Sequence, residues 1–169
     1  MAISMYDFSI PVLTRGLTNL SGILDKAEAY AAAKKFDPVV LAQARLFPDM
    51  HALARQVQIA CDTAKGAAAR LAGVEVPKHE DTETTLAELK ARVAKTTDFV
   101  KSITAAQLKD AEGRSIELKF PSGSWKFTAT GYLADFVLPN FYFHVSMVYA
   151  LLRKAGVEIG KGDYLGKLQ

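Results

Sequence analysis

The sequence predicts an all-α fold, a four-helix bundle with a small β-hairpin before the last long helix. Over four long segments the apolar residues recur at steps of three and four positions, which is typical of amphipathic helices. Apolar and polar residues alternate in only one short stretch, residues 116–127, which indicates a hairpin. The 169 residues are 50% hydrophobic and 23% charged, so we expect residues 1–169 to form a single globular domain.

Composition excludes several classes of protein. The net charge is +3, but Lys and Arg are interspersed with Asp and Glu, which argues against a nucleic-acid groove. Cys61 is the only cysteine, so an intrachain disulfide and a Cys-x-x-Cys redox motif are excluded. The sequence shows neither an export signal nor an apolar run of membrane-spanning length. We therefore expect a cytoplasmic protein without nucleic-acid or membrane partners.

The first half of the chain is predicted to hold two long helices. The first covers residues 4–35, with Ser4 and Asp7 as its cap and Pro11 as either a kink or the true first turn. A short helix is predicted over 39–46 and a second long helix over 49–71, which Gly73 ends. Alanines dominate its apolar stripe, which indicates a closely packed neighbour, and place Cys61 in the core.

The second half is predicted to begin with a crossing connection. Residues 73–84 lack apolar periodicity and are numerous enough to cross the bundle, and His79 is expected to be solvated there. Thr85 and Glu88 form a capping-box pattern for a third helix that runs to 103. The hairpin is expected to pack Trp125 and Phe127 against the helices. The last helix is predicted over 131–155, and the tail to 169 is predicted to be irregular.

Two polar residues interrupt the apolar face of the last long helix. Asn140 and His144 are four positions apart, so their side chains are neighbours on a helix. One interpretation is that they hold an ion, a water molecule or a substrate atom between them. The other is that they satisfy each other or a buried backbone group, since buried polar groups are normally hydrogen-bonded.

The start of the second long helix offers partners for His144. If that helix begins at Asp49, Asp49 falls at the edge of the buried stripe, whereas His51 turns toward Arg55 and Gln58, a side that looks solvated. Asp49 would then fix the tautomer of His144 and raise its pKa, or both residues would ligate a divalent metal. His51 joins them only if the helix is rotated or begins later.

Several segments resemble the DUF1993 family of DinB/YfiT-like four-helix bundles. They are 4–7 (SMYD), 45–50 (RLFPDM), 55–58 (RQVQ) and 138–144 (LPNFYFH), and the similarity covers essentially the whole chain. The resemblance implies a homodimer and a divalent metal held by three histidines, with thiol-dependent transferase or hydrolase activity in some members. The superfamily places one histidine near the start of helix two and a His-x-x-x-His pair on helix four. His144 matches the second member of that pair and His51 lies near the helix-two position, but Asn140 stands where the first member of the pair would be.

Three hypotheses about function follow. The leading one is a DinB-like protein whose polar pocket binds a small ligand, with His144 as proton donor or acceptor, Asp49 and Asn140 beside it, and Tyr142 or Tyr6 at the mouth. The alternative is a transferase or hydrolase in which Asp49, His144 and His51 bind a divalent metal, zinc or nickel. The third is a structural dimerisation module that uses the aromatic surface of the last helix. The sequence does not decide whether the protein is an enzyme.

Overall fold

Four long helices carry the fold, and the computed structural model describes residues 4–167. The long helices are α1 (Met5–Lys34), α3 (Leu53–Ala72), α4 (Leu86–Ser102) and α6 (Leu138–Lys154). The shorter elements are α2 (Val39–Ala42), the hairpin strands β1 (Ser115–Phe120) and β2 (Gly123–Thr128), α5 (Ala129–Gly131) and α7 (Lys161–Leu165). A turn of π-helix, Tyr132–Val137, joins α5 to α6. The predicted helical bundle with a hairpin before its last long helix is confirmed.

Contacts between side chains establish how the helices run. Gln56 of α3 contacts His144 of α6 and Thr63 contacts Asn140, so these two helices are antiparallel. Gly16 of α1 faces Phe141, and Gly156, just after α6, faces Tyr30 of α1, so α1 and α6 are parallel.

Helices α3 and α4 also run parallel to each other. Gln58 contacts Glu83, just before α4, and Asp62, further along α3, contacts Arg92 inside α4. The order is therefore up-down-down-up, and a long connection must join α3 to α4.

The segment between α3 and α4, residues 74–85, is hereafter the crossover segment. It runs back along the flank of α3, because Asp81 forms an ion pair with Arg55 near the start of that helix. The predicted connection is confirmed, but it follows the side of the bundle and does not cross over its end.

An ion network anchors the crossover segment to the helices, and its centre is Arg92 of α4. The Arg92 side chain is 1% exposed, and its Nη2 lies 2.9 Å from carboxylate oxygens of Asp62 and Asp81. Its Nη1 donates to Glu83 at 3.1 Å and to the Glu80 carbonyl oxygen at 2.8 Å. A buried cation therefore joins α4 to α3 and to the segment that covers both.

Small residues let the helices approach closely in the core. Five alanines of α3 are fully buried, namely Ala60, Ala64, Ala67, Ala68 and Ala69, and Cys61 is buried among them as predicted. Gly16 on α1 is needed for the same reason, because a Cβ at that position would lie 2.8 Å from Cζ of Phe141. The alanine-rich stripe thus explains how α6 fits tightly between α1 and α3.

Most of the predicted helix boundaries are confirmed. The capping boxes of Ser4 with Asp7 and of Thr85 with Glu88 are both complete, and each satisfies backbone amides in a first helical turn. Gly73 ends α3 with a φ of 71°, in the left-handed region that favours glycine. Pro11 lies inside α1 without ending it.

Two boundaries differ from the prediction at the approach to α3. The short helix ends at Ala42 rather than at 46, and α3 begins at Leu53 rather than at 49. The backbone amide of Leu53 donates to the Ala44 carbonyl oxygen at 2.9 Å, and Ala52 is extended. Residues 43–52 therefore form a loop that doubles back onto the end of α2.

The tail also differs from the prediction, since α7 occupies part of it. The backbone amide of Gly160 donates to Asp163 Oδ2 at 2.8 Å, which starts the short helix despite the glycines around it. Asn19 of α1 donates to the Tyr164 carbonyl oxygen at 3.0 Å and fixes α7 against α1.

The hairpin shows the predicted alternation but packs less completely than predicted. Ile116 and Leu118 are buried, and their cross-strand partners are Phe127 and Trp125. Phe127 contacts the Tyr132 ring, whereas Trp125 stays 56% exposed and meets Phe136 at a centroid distance of 6.2 Å. Within residues 4–167, none of the helices combines the length and the apolar character that crossing a membrane requires.

Candidate functional site

A histidine held by a glutamine lies where α6 packs on α3. His144 is 8% exposed, and its Nδ1 lies 2.6 Å from Oε1 of Gln56. The amide nitrogen of Gln56 donates to the His51 carbonyl oxygen at 3.3 Å, which leaves Oε1 to face the imidazole as an acceptor. Nδ1 of His144 must therefore carry the proton, and Nε2 keeps its lone pair.

The other ring nitrogen of His144 is available to a ligand. Within residues 4–167, Nε2 of His144 has no hydrogen-bond partner, and this atom is not fully buried. It is therefore in contact with solvent. The cavities at the crossover segment and between α1 and α7 are not lined by His144.

The surroundings of His144 keep its imidazole neutral. Burial, with a smaller contribution from His51 and Arg55, lowers the pKa of His144 from 6.5 to about 4. The predicted rise in this pKa is wrong, because the imidazole faces a neutral amide and nearby cations in place of a carboxylate. At neutral pH the Nε2 lone pair of the ring can accept a hydrogen bond, and the ring holds an additional proton poorly.

Asn140 has a partner of its own. Its Nδ2 lies 2.7 Å from Oγ1 of Thr63, which in turn donates to the Ile59 carbonyl oxygen at 2.8 Å. Thr63 and Gln56 are about 10 Å apart along α3, at 1.5 Å per residue. Asn140 and His144 are therefore each bonded to a different residue of α3, and of the two interpretations the geometry favours internal hydrogen bonding for Asn140.

The remaining predicted site residues are Asp49, His51 and Tyr142. Asp49 and His51 lie exposed in the loop before α3, so the helical positions assigned to them do not apply. His51 is close enough to lower the pKa of His144, whereas Asp49 does not contribute to that shift. Tyr142 points away, with its ring 6.5 Å from that of Tyr164. Within residues 4–167, His144 shares no hydrogen bond with Asp49, His51 or Tyr142.

Two polar residues of α3 have roles that the helical pattern does not predict. Gln56 is 2% exposed and Thr63 8% exposed, and they are the partners of His144 and Asn140. A signal for Gln56 was present, because it lies between Leu53 and Val57 in the apolar stripe. The expectation that Gln58 is solvated is wrong, since it is buried and its Nε2 donates to Glu83 at 3.0 Å.

Comparison with known families and structures establishes the relationship of the chain. The family model of a domain of unknown function, DUF1993, matches residues 5–165. The chain belongs to the DUF1993 family. A crystal structure of a DinB family member protein from Shewanella denitrificans is 42% identical to this DUF1993 chain, with a TM-score of 0.90. The match covers 97% of this chain and 93% of that one. A search of curated proteins finds no match.

The donor set of this DUF1993 chain does not fit the three-histidine metal site that the resemblance implies. His51, in the loop before α3, is the other candidate histidine ligand, but the Asn140 side chain is bonded to Thr63. Across residues 4–167, no three His, Cys, Asp or Glu side chains are grouped so that they could hold a metal ion. Zinc sites in enzymes typically use three protein ligands, and this arrangement supplies two imidazoles.

Proposed function

We propose that this DUF1993 protein binds a small ligand at His144, whose Nε2 accepts a hydrogen bond from a hydroxyl, amide or thiol group. The observation that carries the proposal is the 2.6 Å contact between His144 Nδ1 and Gln56 Oε1. That contact fixes the tautomer and the ring plane before a ligand arrives, so less freedom is lost on binding. The lone pair of Nε2 is then directed at the ligand.

Charge limits the class of ligand further. The imidazole is neutral at pH 7 because burial holds its pKa at about 4. Arg55 places positive charge nearby, which disfavours a cationic ligand. A neutral or weakly acidic molecule with one donor group is the chemistry that this site fits best.

Binding of small donors observed by NMR tests the proposal. Phenol, acetamide and 2-mercaptoethanol represent the three donor groups, and each is titrated into ¹⁵N-labelled protein while the imidazole nitrogens of His144 are observed. His144→Phe removes the acceptor and keeps an aromatic ring of similar size. His79→Gln is the matched control, since it removes a histidine on the crossover segment.

We expect at least one donor to bind saturably to wild type and to His79→Gln, and to lose binding in His144→Phe. The proposal is wrong if none of the three shifts Nε2 of His144, or if His144→Phe binds them equally well.

A divalent-metal-dependent transferase or hydrolase is the second candidate. A metal-ligating histidine typically donates its other ring N–H to a fixed acceptor, as His144 does to Gln56, and His51 is a second imidazole nearby. Titration of Zn²⁺ or Ni²⁺ into protein purified without an affinity tag separates the two candidates. One tightly bound ion, lost in His144→Phe, supports the metal enzyme, whereas weak binding that the substitution does not change contradicts it.

We propose that the protein forms a homodimer through the aromatic surface of α6. Phe143 is 52% exposed, and its ring lies 5.1 Å from that of His144 in an edge-on arrangement. Exposed aromatic side chains are enriched at subunit interfaces. Light scattering on wild type, Phe143→Ser and the control Phe8→Ser tests the proposal, since Phe8 of α1 is 50% exposed. Dissociation in Phe143→Ser alone supports it, and a monomeric wild type contradicts it.

A further inference from the structure

A cavity of about 290 Å³ lies between α3 and the crossover segment. Its charged and polar lining comes from Asp62, Lys65 and Arg70 of α3 and from Lys78 and His79 of the crossover segment. It lies at the flank of α3 and shares no lining residue with the His144 site. Its volume is just below the roughly 300–1,000 Å³ of sites for drug-sized ligands, so its occupant is small.

Positive charge is in excess around this cavity. Asp62 is its only carboxylate, and that carboxylate already accepts from Lys65 Nζ and Arg92 Nη2, each at 2.9 Å. Lys65 is 5% exposed and uses one of its three N–H groups on Asp62. Lys78 pairs with no carboxylate in the part of the chain that the structure describes. An anion that entered would meet unused donors.

The position of Arg70 depends on a glycine. Its guanidinium folds back over Gly66, one turn earlier on α3, where a Cβ would overlap Arg70 Nη1. The guanidinium donates to the Tyr132 hydroxyl at 3.2 Å, and no carboxylate in residues 4–167 pairs with it. Four further N–H groups of Arg70 are thus left for a ligand. Gly66 therefore allows the guanidinium to lie at the cavity wall.

His79 marks the other wall of the cavity. The expectation that it is solvated is wrong in part, because its Nδ1 is buried and has no hydrogen-bond partner. Burial lowers the pKa of His79, and the positive charges of Lys65, Lys95 and Arg92 lower it further. An anion in the cavity would offset the charges of these cations and could accept a hydrogen bond from the unpartnered Nδ1.

We infer that this cavity binds a small oxyanion, a phosphate group, through Lys65, Arg70 and Lys78. Guanidinium and ammonium groups are the side chains that bind phosphate through charge-assisted hydrogen bonds. A second cavity, of about 470 Å³, lies on the other side of Lys78 and His79. Glu80, Glu83 and Glu88 line it together with its cations, so its charges are balanced and it lacks the same preference. The phosphate group belongs either to inorganic phosphate or to a phosphate monoester.

Titration of inorganic phosphate into the ¹⁵N-labelled full chain tests the inference, with NaCl at equal ionic strength as the reference. Arg70→Gln removes the guanidinium. Gly66→Ala keeps every charge but displaces Arg70, and alanine is favourable inside a helix. Lys119→Gln is the charge-matched control, because Lys119 lies on the hairpin and its side chain is 81% exposed. Glycerol 3-phosphate in a parallel titration distinguishes a monoester from free phosphate.

We expect saturable binding of phosphate that shifts His79 and the amides of residues 65–70. Arg70→Gln and Gly66→Ala should each weaken it by roughly tenfold or more, since each loses a charge-assisted hydrogen bond. Lys119→Gln should bind as wild type does. Tighter binding of glycerol 3-phosphate would identify the source as a monoester, and tighter binding of phosphate would identify the free ion. The inference is overturned if NaCl produces the same shifts, or if Arg70→Gln and Gly66→Ala bind both probes as wild type does.

Discussion

Replacement of Arg92 by methionine tests whether the crossover segment is held by a buried cation. Methionine keeps most of the apolar volume of the arginine stem but removes the guanidinium. Asp62, Asp81 and Glu83 then lose their common partner, and the Glu80 carbonyl oxygen loses its donor. The carboxylates would also repel one another, so the segment should loosen from α4, while Arg55 and Gln58 still hold Asp81 and Glu83 to α3.

The size of the effect follows from the exposure of the three carboxylates. Removal of one partner from a buried ion pair typically costs about 3–5 kcal/mol. Asp62 and Asp81 have side chains 36% and 38% exposed and regain water, whereas Glu83 is only 15% exposed. The loss should therefore lie at the lower end, about 3 kcal/mol. Arg92→Lys keeps the charge but not the forked geometry and should cost about 1–2 kcal/mol.

Urea unfolding at pH 7, followed by circular dichroism, measures these differences. Lys119→Met is the control, since it removes a cation from an exposed side chain and should change stability by less than about 0.5 kcal/mol. The slope against urea should be similar for all variants, because they bury similar areas. A loss below about 1 kcal/mol in Arg92→Met would show that water satisfies the carboxylates as well as Arg92 does, and that the buried cation does not hold the segment.

Three further predictions concern packing, pH and thiol reactivity. Gly16→Ala should cost about 1–3 kcal/mol in urea unfolding, because its methyl group meets the Phe141 ring. In Gly22→Ala, on the same helix, the new methyl group meets nothing within 4 Å, so this substitution should stabilise the fold by about 0.5–1 kcal/mol. A Gly16→Ala variant more stable than Gly22→Ala would contradict the packing of Gly16 against Phe141. The pKa of His144 is about 4 in the folded protein and 6.5 in the unfolded chain. Between pH 4 and pH 6.5 this histidine is therefore protonated mainly in the unfolded chain, which favours unfolding. His144 should therefore cost on the order of 3 kcal/mol of stability as the pH falls from 7 to 4, and an equal loss in His144→Phe would disprove this. Burial raises the pKa of Cys61 to about 12, so a thiol reagent should label it only in denaturant, and rapid labelling of folded protein would contradict its burial.

The helices were predictable because their signals are local. Ser4 and Thr85 cap their helices together with Asp7 and Glu88, which lie three positions further along the chain. Gly73 ends α3 through its own backbone conformation. Such signals depend only on a few consecutive residues. The hairpin alternation at Ile116 and Leu118 was readable for the same reason.

The site was less predictable because its contacts depend on packing between helices. His144 was identified from its position in an apolar face, but its partner Gln56 depends on how α6 lies on α3. The start of α3 also depends on packing, because the Leu53 amide donates to the Ala44 carbonyl oxygen and the helix begins one turn later than predicted. Asp49 and His51 were thus assigned to helical positions that they do not occupy.

The tautomer of His144 tests most directly whether Gln56 holds the imidazole with Nε2 free to accept a hydrogen bond. Long-range ¹H–¹⁵N correlation of the imidazole at neutral pH distinguishes a protonated Nδ1 from a protonated Nε2. We predict a neutral ring with the proton on Nδ1 only. In Gln56→Leu, which removes the acceptor, we expect a mixture of the two tautomers. A pH titration should give a pKa of about 4. A ring protonated only on Nε2 would contradict both the hydrogen bond to Gln56 and the proposed acceptor role of Nε2. A ring that titrates near its ordinary value of 6.5 would contradict the effect of burial on its pKa.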